Sequence, residues 1–521
     1  MKPLSHLISR RFALAAVPAL TALALGLQVT PTVWAATTTA ANLAMVGEPP
    51  TLDPMGSTAD IVGTIMQHVY ETLYTFDADW HIKPMLASGM PKVSADGLTV
   101  TIPLRAKVKF HNGQEMDSAD VVASLKRWME LASRGKSVAK ETVSLEASSA
   151  NAIVWKFKTP YGPLLSQLAM PSGMAAIMDK DSLAPTLTAF VGTGPYQFKD
   201  RKPDQFILLS KFPSYSARTE AASGYAGKRD AVIDELRFIP VPNANTRVEG
   251  ALSGQFQYAD ALPAESISRL EKAGAATVVP VVAQSSGFPY IAFNTQEGVM
   301  SDKRLRQAVQ MAMGDGELLA AALGDNRFFK VEANHFPQGS PFYSVAGKEL
   351  YNRGDAKAAK ALADKAGYNG QPIRILNSRQ YEFHHNLALM LAEQLRQAGF
   401  KVELDVVDWA TLVQRRGDPK LMDMYITHSP VLPEPMLSPP QLGDGAPGRW
   451  DTPAKQEVLK AFNAEMNPAQ RGKLWGKVQA VVYDEVPYIQ VGKFSSLAAR
   501  SPKMQNFYPM TWPAFWNAKV N

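Results

Sequence analysis

The clearest alternation of apolar and polar positions lies in residues 372–436 and predicts strand, helix, strand, helix, strand. The first helix carries leucines four residues apart on one face, and the strand after it alternates apolar with charged residues. A glycine ends that helix, as is common at a left-handed helix terminus. The five predicted elements are residues 373–376, 383–398, 400–407, 409–416 and 421–427.

Strands separated by helices imply right-handed crossovers and a parallel sheet. In such a sheet a ligand binds beyond the carboxyl ends of the strands. Here those ends carry Arg379, Tyr381, Trp409 and His428, and a proline-rich segment, residues 430–440, follows the last strand. We therefore expect this edge to form half of a ligand site.

A second group of candidates lies in the loop after the first predicted strand. Ser57, Thr58 and Asp60 can face a cleft from the other side, or Thr58 or Asp60 can cap the following helix. Both interpretations stay open from the sequence. Asp117, with Asp120 three residues later, predicts a capped helix start further along the chain.

Composition indicates a globular protein of two or three domains. The chain has 521 residues, 46% of them hydrophobic and 20% charged. Its net charge of +6 includes Lys2, Arg10 and Arg11 of a predicted export signal, so the remainder favours neither nucleic acid nor a membrane surface as a partner. The absence of cysteine excludes disulfides, thiolate metal sites, cysteine nucleophiles and a lipid-modified cysteine.

Residues 1–35 have the layout of a secretory signal peptide. A basic start is followed by an apolar run, residues 12–27, and by small residues that predict cleavage after Ala35. The pair Arg10 and Arg11 also resembles a twin-arginine signal, and the Sec and twin-arginine routes both stay open. We expect a soluble mature protein in the periplasm.

The motifs do not predict catalysis. Residues 443–448 match a dinucleotide-binding string, but no predicted strand precedes them and a proline lies inside. The sequence lacks the Gly-x-Ser-x-Gly, His-Glu-x-x-His and phosphate-loop motifs. We expect no enzyme, no cofactor and no dedicated metal site, and we keep an exported hydrolase as the alternative.

Several short motifs, taken in order, resemble the extracytoplasmic solute-binding proteins of dipeptide, oligopeptide and nickel ABC importers, known as family 5. Each is weak alone, but together they span the mature chain. The matching segments are Leu52-Asp53-Pro54, Phe110-His111-Asn112-Gly113-Gln114, Asp117-Ser118-Ala119-Asp120-Val121, Gly192-Thr193-Gly194-Pro195-Tyr196, Phe293-Asn294-Thr295 and Asp302-Lys303-Arg304-Leu305-Arg306-Gln307-Ala308.

The resemblance implies an α/β, two-lobed periplasmic binding protein of type II, with mixed sheets flanked by helices, an inserted subdomain and two hinge strands. Such a protein closes on a small molecule or short peptide and delivers it to an ABC permease in the inner membrane. We expect a monomer that does not bind nucleic acid; a chaperone or sensor on the same fold is a further alternative. The expected parts are lobe I (36–75, 182–290 and 490–521), the subdomain (76–181) and lobe II (291–489), with crossings near 288–294 and 486–491.

The resemblance also implies that Arg379 binds a ligand carboxylate. The chain departs from the family where an aspartate usually holds the free amine of a peptide, because Val431 stands there unless the alignment slips and Glu434 serves. A valine cannot neutralise a buried ammonium. We therefore expect a carboxylate-bearing ligand without a primary amine at that place, with His428 as a ligand contact or a contact to a metal complex.

Overall fold

The computed structural model describes residues 39–379, 381–438, 442–443 and 446–521. The predicted signal peptide lies outside the described residues. Within the described residues, no helix is both long and apolar enough to span a membrane.

Most strands belong to one mixed sheet. Within the described residues it has twelve strands, in the order β15-β14-β16-β12-β18-β11-β1-β10-β9-β8, with β13 beside β18 and β17 beside β12. In chain order the strands are β1 (Ala40–Met45), β2 (Tyr74–Phe76), β3 (Ile82–Pro84), β4 (Lys92–Val93), β5 (Thr99–Pro103), β6 (Thr142–Ser149), β7 (Ala152–Phe157), β8 (Tyr196–Lys202), β9 (Phe206–Lys211), β10 (Glu235–Pro240), β11 (Tyr258–Leu262), β12 (Val279–Phe293), β13 (Phe329–Lys330), β14 (Ile373–Ser378), β15 (Val402–Val407), β16 (Met424–Pro430), β17 (Tyr488–Gln490), β18 (Lys493–Arg500), β19 (Met504–Gln505) and β20 (Lys519–Val520).

Seven of the thirteen helices within the described residues begin at a side chain that accepts a backbone amide hydrogen bond. Asp117 and Asp120 form the expected capping box at the start of the second helix, which confirms that prediction. The helices are α1 (Asp60–Met66), α2 (Ser118–Leu131), α3 (Ser133–Glu141), α4 (Leu164–Ala169), α5 (Ala244–Leu252), α6 (Ile267–Ala273), α7 (Lys303–Ala312), α8 (Asp315–Leu323), α9 (Ala356–Ala366), α10 (Glu382–Gln397), α11 (Trp409–Arg415), α12 (Pro453–Ala464) and α13 (Pro468–Glu485).

The parallel unit predicted from the hydrophobic pattern is confirmed. Strand β14 pairs in parallel with β15 on one side and with β16 on the other, and α10 and α11 connect them in sequence. The prediction that His428 lies in a loop is wrong, because β16 extends to Pro430 and pairs His428 with Pro289. The strand extends further than its apolar run because β12 supplies a long partner.

The strands β12 and β18 connect two halves of the molecule. Residues 287–293 of β12 pair with β16 in the second half, whereas residues 279–283 pair with β18 beside β11 of the first half. Separate apolar cores accompany the halves, one around α1 and α2 and others around α10 and α13. The molecule therefore has two lobes joined by a continuous sheet.

The pairing between β12 and β18 changes register between Ala283 and Gly287. There the Ser286 hydroxyl donates to the Ala283 carbonyl oxygen over 2.7 Å and lies 2.9 Å from the Ser496 hydroxyl. A register shift bends a strand locally. We therefore expect the hinge between the halves to lie at this point. The lobe limits and crossings expected from the sequence remain predictions. Strand β17 lies in the second expected crossing, and it pairs with the part of β12 that also pairs with β16.

A separate four-stranded sheet, in the order β4-β5-β7-β6, packs with α2 in the first half. Trp128 of α2 and Trp155 of β7 are fully buried in this region. These elements fall within residues 76–181, where we place the inserted subdomain.

Candidate ligand site between the two halves

Three of the predicted site residues meet at the carboxyl edge of the parallel strands. The Tyr381 ring centroid lies 4.9 Å from that of Trp409 and 5.0 Å from that of His428. Tyr381 precedes α10, Trp409 opens α11, and Asp408 caps α11 by accepting from the Thr411 amide. The topology of the sheet thus brings together side chains that are far apart in the sequence.

Two further rings and a second histidine, which the sequence analysis did not select, complete this aromatic cluster. Phe383 and His384 come from α10, and Phe494 comes from β18, its ring centroid 6.0 Å from that of His428. His384 Nε2 lies 3.0 Å from His428 Nδ1, so one imidazole donates to the other. The spacing of His384 gave no local signal, because its partner lies on another strand.

Burial disfavours the charged form of both imidazoles. Burial, together with a smaller effect of the neighbouring His428, lowers the pKa of His384 to about 3. Burial likewise lowers the pKa of His428. His384 Nδ1 is buried and has no hydrogen-bond partner among the described residues. The pair is therefore neutral at neutral pH and hydrogen-bonds as a neutral donor and acceptor.

Replacing His384 by phenylalanine should make the stability of the protein less sensitive to acid. In the unfolded chain a histidine binds a proton below about pH 6.5, whereas folded His384 does not until about pH 3. Each such group therefore costs up to about 1.4 kcal/mol of unfolding free energy per pH unit as pH falls below 6.5. Urea unfolding at pH 7 and pH 5 measures this slope.

The control for this substitution is Leu389→Phe, on an exposed position of the same helix. It should keep the wild-type slope. An unchanged slope in His384→Phe would show that this histidine is not held neutral by the fold. His68 and His335, whose pKa values burial also lowers to about 3, contribute equally to all three proteins.

Arg379 directly follows β14 and lies two residues before Tyr381 of this aromatic cluster. Its side chain is exposed, and among the described residues it forms no ion pair. Burial lowers the pKa of His385, and the positive charge of Arg379 contributes to the decrease. The guanidinium is therefore available for a ligand carboxylate.

The predicted residues of the first half lie at the start of α1. The alternative in which Thr58 or Asp60 caps this helix is wrong, because Ala59 occupies the cap position without a side-chain hydrogen bond. Instead Asp60 Oδ1 accepts from Trp512 Nε1 over 2.8 Å, and Ser57 Oγ accepts from the Ala59 amide over 3.1 Å. The C-terminal segment thus holds Asp60.

Protein atoms crowd the Asp60 carboxylate although the residue is exposed overall. This desolvation raises the pKa of Asp60, whereas the Trp512 hydrogen bond and the positive charge of Arg134 act against the rise. Arg134 in turn donates to the Ser172 carbonyl oxygen. Asp60 therefore lies in a recess with a cation nearby.

Glu434, the alternative anchor for a ligand amine, is used inside the protein. It is fully buried, and both of its oxygens accept from the Arg471 guanidinium, at 2.8 and 2.9 Å. Its Oε1 also accepts from the Met436 amide. A carboxylate with these partners is occupied, so the slipped alignment does not supply a free acidic group.

Two cavities lie between the halves, and Pro433 borders the first and Val431 the second. The outer cavity, of about 460 Å³, lies between the β2–β3 hairpin and α4 on one side and Phe342, Pro433 and α13 on the other. The hinge cavity, of about 340 Å³, lies between β12, Val431 and the C-terminal segment. Trp80 borders both cavities, and neither Trp80 nor this arrangement was predicted from the sequence.

The halves touch beside the outer cavity. The Gly162 amide donates to the Asn463 carbonyl oxygen over 2.7 Å. Leu432 of the second half is part of the core of the first half, and Met466 packs against it. This contact brings the rim of the inserted region against the connection between α12 and α13.

None of the site residues predicted from the sequence borders either of these two cavities. Arg379, Tyr381, Trp409 and His428 remain one group. Ser57, Thr58 and Asp60 form another group. Among the described residues, no set of three or more histidine, aspartate or glutamate side chains is arranged to hold a metal ion.

Comparison with known proteins connects this architecture to a family. Residues 81–446 match the family model described as bacterial extracellular solute-binding proteins, family 5 Middle. A probable peptide ABC transporter periplasmic-binding protein of Sinorhizobium fredii is 26% identical over 483 residues, covering 89% of this chain and 90% of the relative. The glutathione-binding protein GsiB of Pectobacterium atrosepticum is 26% identical over 486 residues, covering 88% and 89%.

The fold is also found in solved structures. The ABC transporter substrate-binding protein CtaP of Listeria monocytogenes superimposes with a TM-score of 0.77 at 18% identity, covering 90% of this chain and 95% of that protein. At this level of identity the likeness supports the two-lobed fold alone.

Proposed function

The chain belongs to the bacterial extracellular solute-binding proteins of family 5 and is the substrate-binding component of an ABC importer; from this premise we propose that it captures a small carboxylate-bearing ligand between its lobes. Proteins of this family bind peptides or small ligands and work with ABC permeases. A ligand that touches both lobes only when they are closed shifts the population toward the closed form.

The observation that carries the proposal is the position of Arg379. Arg379, exposed and without an ion-pair partner among the described residues, follows the carboxyl end of a parallel strand two residues before Tyr381, whose ring contacts Trp409 and His428. Arginine binds a carboxylate through two parallel hydrogen bonds, and flat rings restrict the ligand's orientation. In this proposal Ser57, Thr58 and Asp60 contact the ligand from the opposite lobe.

The family places the protein outside the cytoplasm. We propose a periplasmic monomer, exported by a Sec or twin-arginine signal cleaved after Ala35, that does not bind nucleic acid. We propose that the protein releases its ligand chemically unchanged. Incubation with peptides and glycosides tests the hydrolase alternative: turnover would support an enzyme, whereas saturable thermal stabilisation without turnover supports the receptor.

Replacing Arg379 by alanine should weaken binding of the acid that co-purifies with the protein by about 10- to 150-fold, since hydrogen bonds to charged groups contribute about 1.5–3 kcal/mol. Mass spectrometry of the extracted ligand, followed by calorimetric titration, measures the effect. Arg415→Ala is the matched control, because its guanidinium is paired with Asp405 at 2.8 Å. Equal ligand affinities in the two variants would show that Arg379 does not bind the ligand carboxylate.

A further inference from the structure

The two cavities between the halves are suited to an apolar molecule. Apolar side chains from both halves line the outer cavity, among them Phe76, Ile82, Leu165, Phe342 and Met466. The hinge cavity adds Val282, Val431 and Met510. Ligand pockets of a few hundred cubic ångströms with mostly apolar walls are the usual size and character for small molecules.

The charged side chains that border these cavities are basic. Among the described residues no aspartate or glutamate borders either cavity, whereas Lys83, His81 and Arg471 border the outer cavity and Lys330 borders the hinge cavity. Glu434 neutralises Arg471, and the Asp77 carboxylate lies 3.4 Å from both Lys83 Nζ and His81 Nδ1. Lys330 is exposed and forms no ion pair among the described residues. An acid would therefore meet an unpaired positive charge at Lys330 of the hinge cavity, since Lys83 and Arg471 at the outer cavity already have carboxylate partners.

We propose that the outer and hinge cavities form one binding site for a carboxylic acid with an apolar body and no amine. The inference rests on the proposed receptor function, because both halves supply the walls, but it places the acid group away from Arg379, which borders neither cavity. The apolar body fills the space around Trp80, which borders both cavities. The acid group lies at the rim of the hinge cavity near Lys330.

A panel of probes with matched tails tests the proposal on the mature, ligand-free protein. The probes are octanoate, octylamine, 1-octanol and acetate, followed by thermal shift and calorimetry. Octanoate should stabilise the protein saturably, and octylamine and acetate should not. Across hexanoate, heptanoate and octanoate, each added methylene should raise affinity about fourfold, as expected for a methylene moved from water into an apolar cavity.

A variant that fills the outer cavity tests the location. Ala469 is exposed on the first turn of α13 and borders that cavity. Ala469→Phe should reduce octanoate affinity more than tenfold while leaving the melting temperature of the ligand-free protein unchanged. The control is Gln470→Phe, on the next residue of the same exposed turn, which does not border the cavity and should bind octanoate normally.

Equal stabilisation by octylamine and octanoate, or full octanoate affinity in Ala469→Phe, would overturn the proposal. Failure of the proposed receptor function gives a different result. If octanoate does not bind but Arg379→Ala still loses the co-purified acid, the cavities are not the site and the receptor function stands. If neither effect occurs, the receptor proposal itself is wrong.

Discussion

Replacing Gly162 by valine should hold the two lobes apart. A Cβ atom at this position would lie 2.3 Å from the Glu465 carbonyl oxygen and 2.9 Å from both the Asn463 carbonyl oxygen and Arg471 Nε. The first two are backbone atoms of the opposite half, so they cannot move aside as a flexible side chain would. The variant would lose both the Gly162–Asn463 hydrogen bond and the close approach of the Gly162 backbone to the backbone of residues 463–465.

Overpacking of this kind costs about 1–3 kcal/mol. If that cost falls only on the closed form, ligand affinity drops about 5- to 150-fold, since about 1.4 kcal/mol corresponds to a factor of ten. Calorimetry with the co-purified ligand measures the affinity, and small-angle X-ray scattering should give a larger radius of gyration with ligand present than for the wild type.

The control for closure is Gly89→Val, because a Cβ at Gly89 meets nothing within 4 Å. This variant should bind and close as the wild type does. Both variants should keep the melting temperature of the ligand-free protein, since the clash arises between lobes. A compact, tightly binding Gly162→Val protein would show that this contact is not part of closure.

Replacing Arg471 by methionine should destabilise the protein by about 3–5 kcal/mol, the range measured when one partner of a buried ion pair is removed. Glu434 has no exposed surface and would keep its charge without the guanidinium. The arginine also stacks on Phe462, with 4.2 Å between its guanidinium carbon and the ring centroid. Urea unfolding at neutral pH measures the loss.

The double variant Glu434→Met, Arg471→Met separates the unpaired charge from lost packing. Replacing both partners by apolar residues of similar volume is often neutral, so most of the lost stability should return. The surface pair gives a second control: Arg415→Met should cost no more than about 1 kcal/mol. A double variant as unstable as Arg471→Met would place the cost in packing rather than in the buried charge.

Local sequence patterns predicted the parts of the fold that depend on neighbouring residues. The leucine spacing of α10 and the alternation of β15 follow from the helix and strand periods, and the Asp117 cap follows from side-chain chemistry. The meeting of Tyr381, Trp409 and His428 follows from one topological rule about parallel sheets. These predictions required no knowledge of distant contacts.

The remaining features depend on contacts between distant parts of the chain. His384 and His428 form a pair only because β16 is longer than its apolar run, and Glu434 finds Arg471 on another element. The same holds for the approach of Gly162 to the second half. Hydrophobic periodicity carries no information about which charge or which glycine lies opposite another. The cap assigned to Thr58 or Asp60 failed for this reason, since Trp512 holds the Asp60 carboxylate.

The position of β18 in the sheet has a consequence for biogenesis. This strand belongs to the last part of the chain, yet it lies between β12 and β11, near the middle of the strand order. If the chain is exported unfolded and amino end first, the first lobe therefore cannot complete its sheet while the polypeptide is still emerging from the translocase. Its early strands must wait, with unpaired edges open to aggregation, until almost the whole chain has arrived.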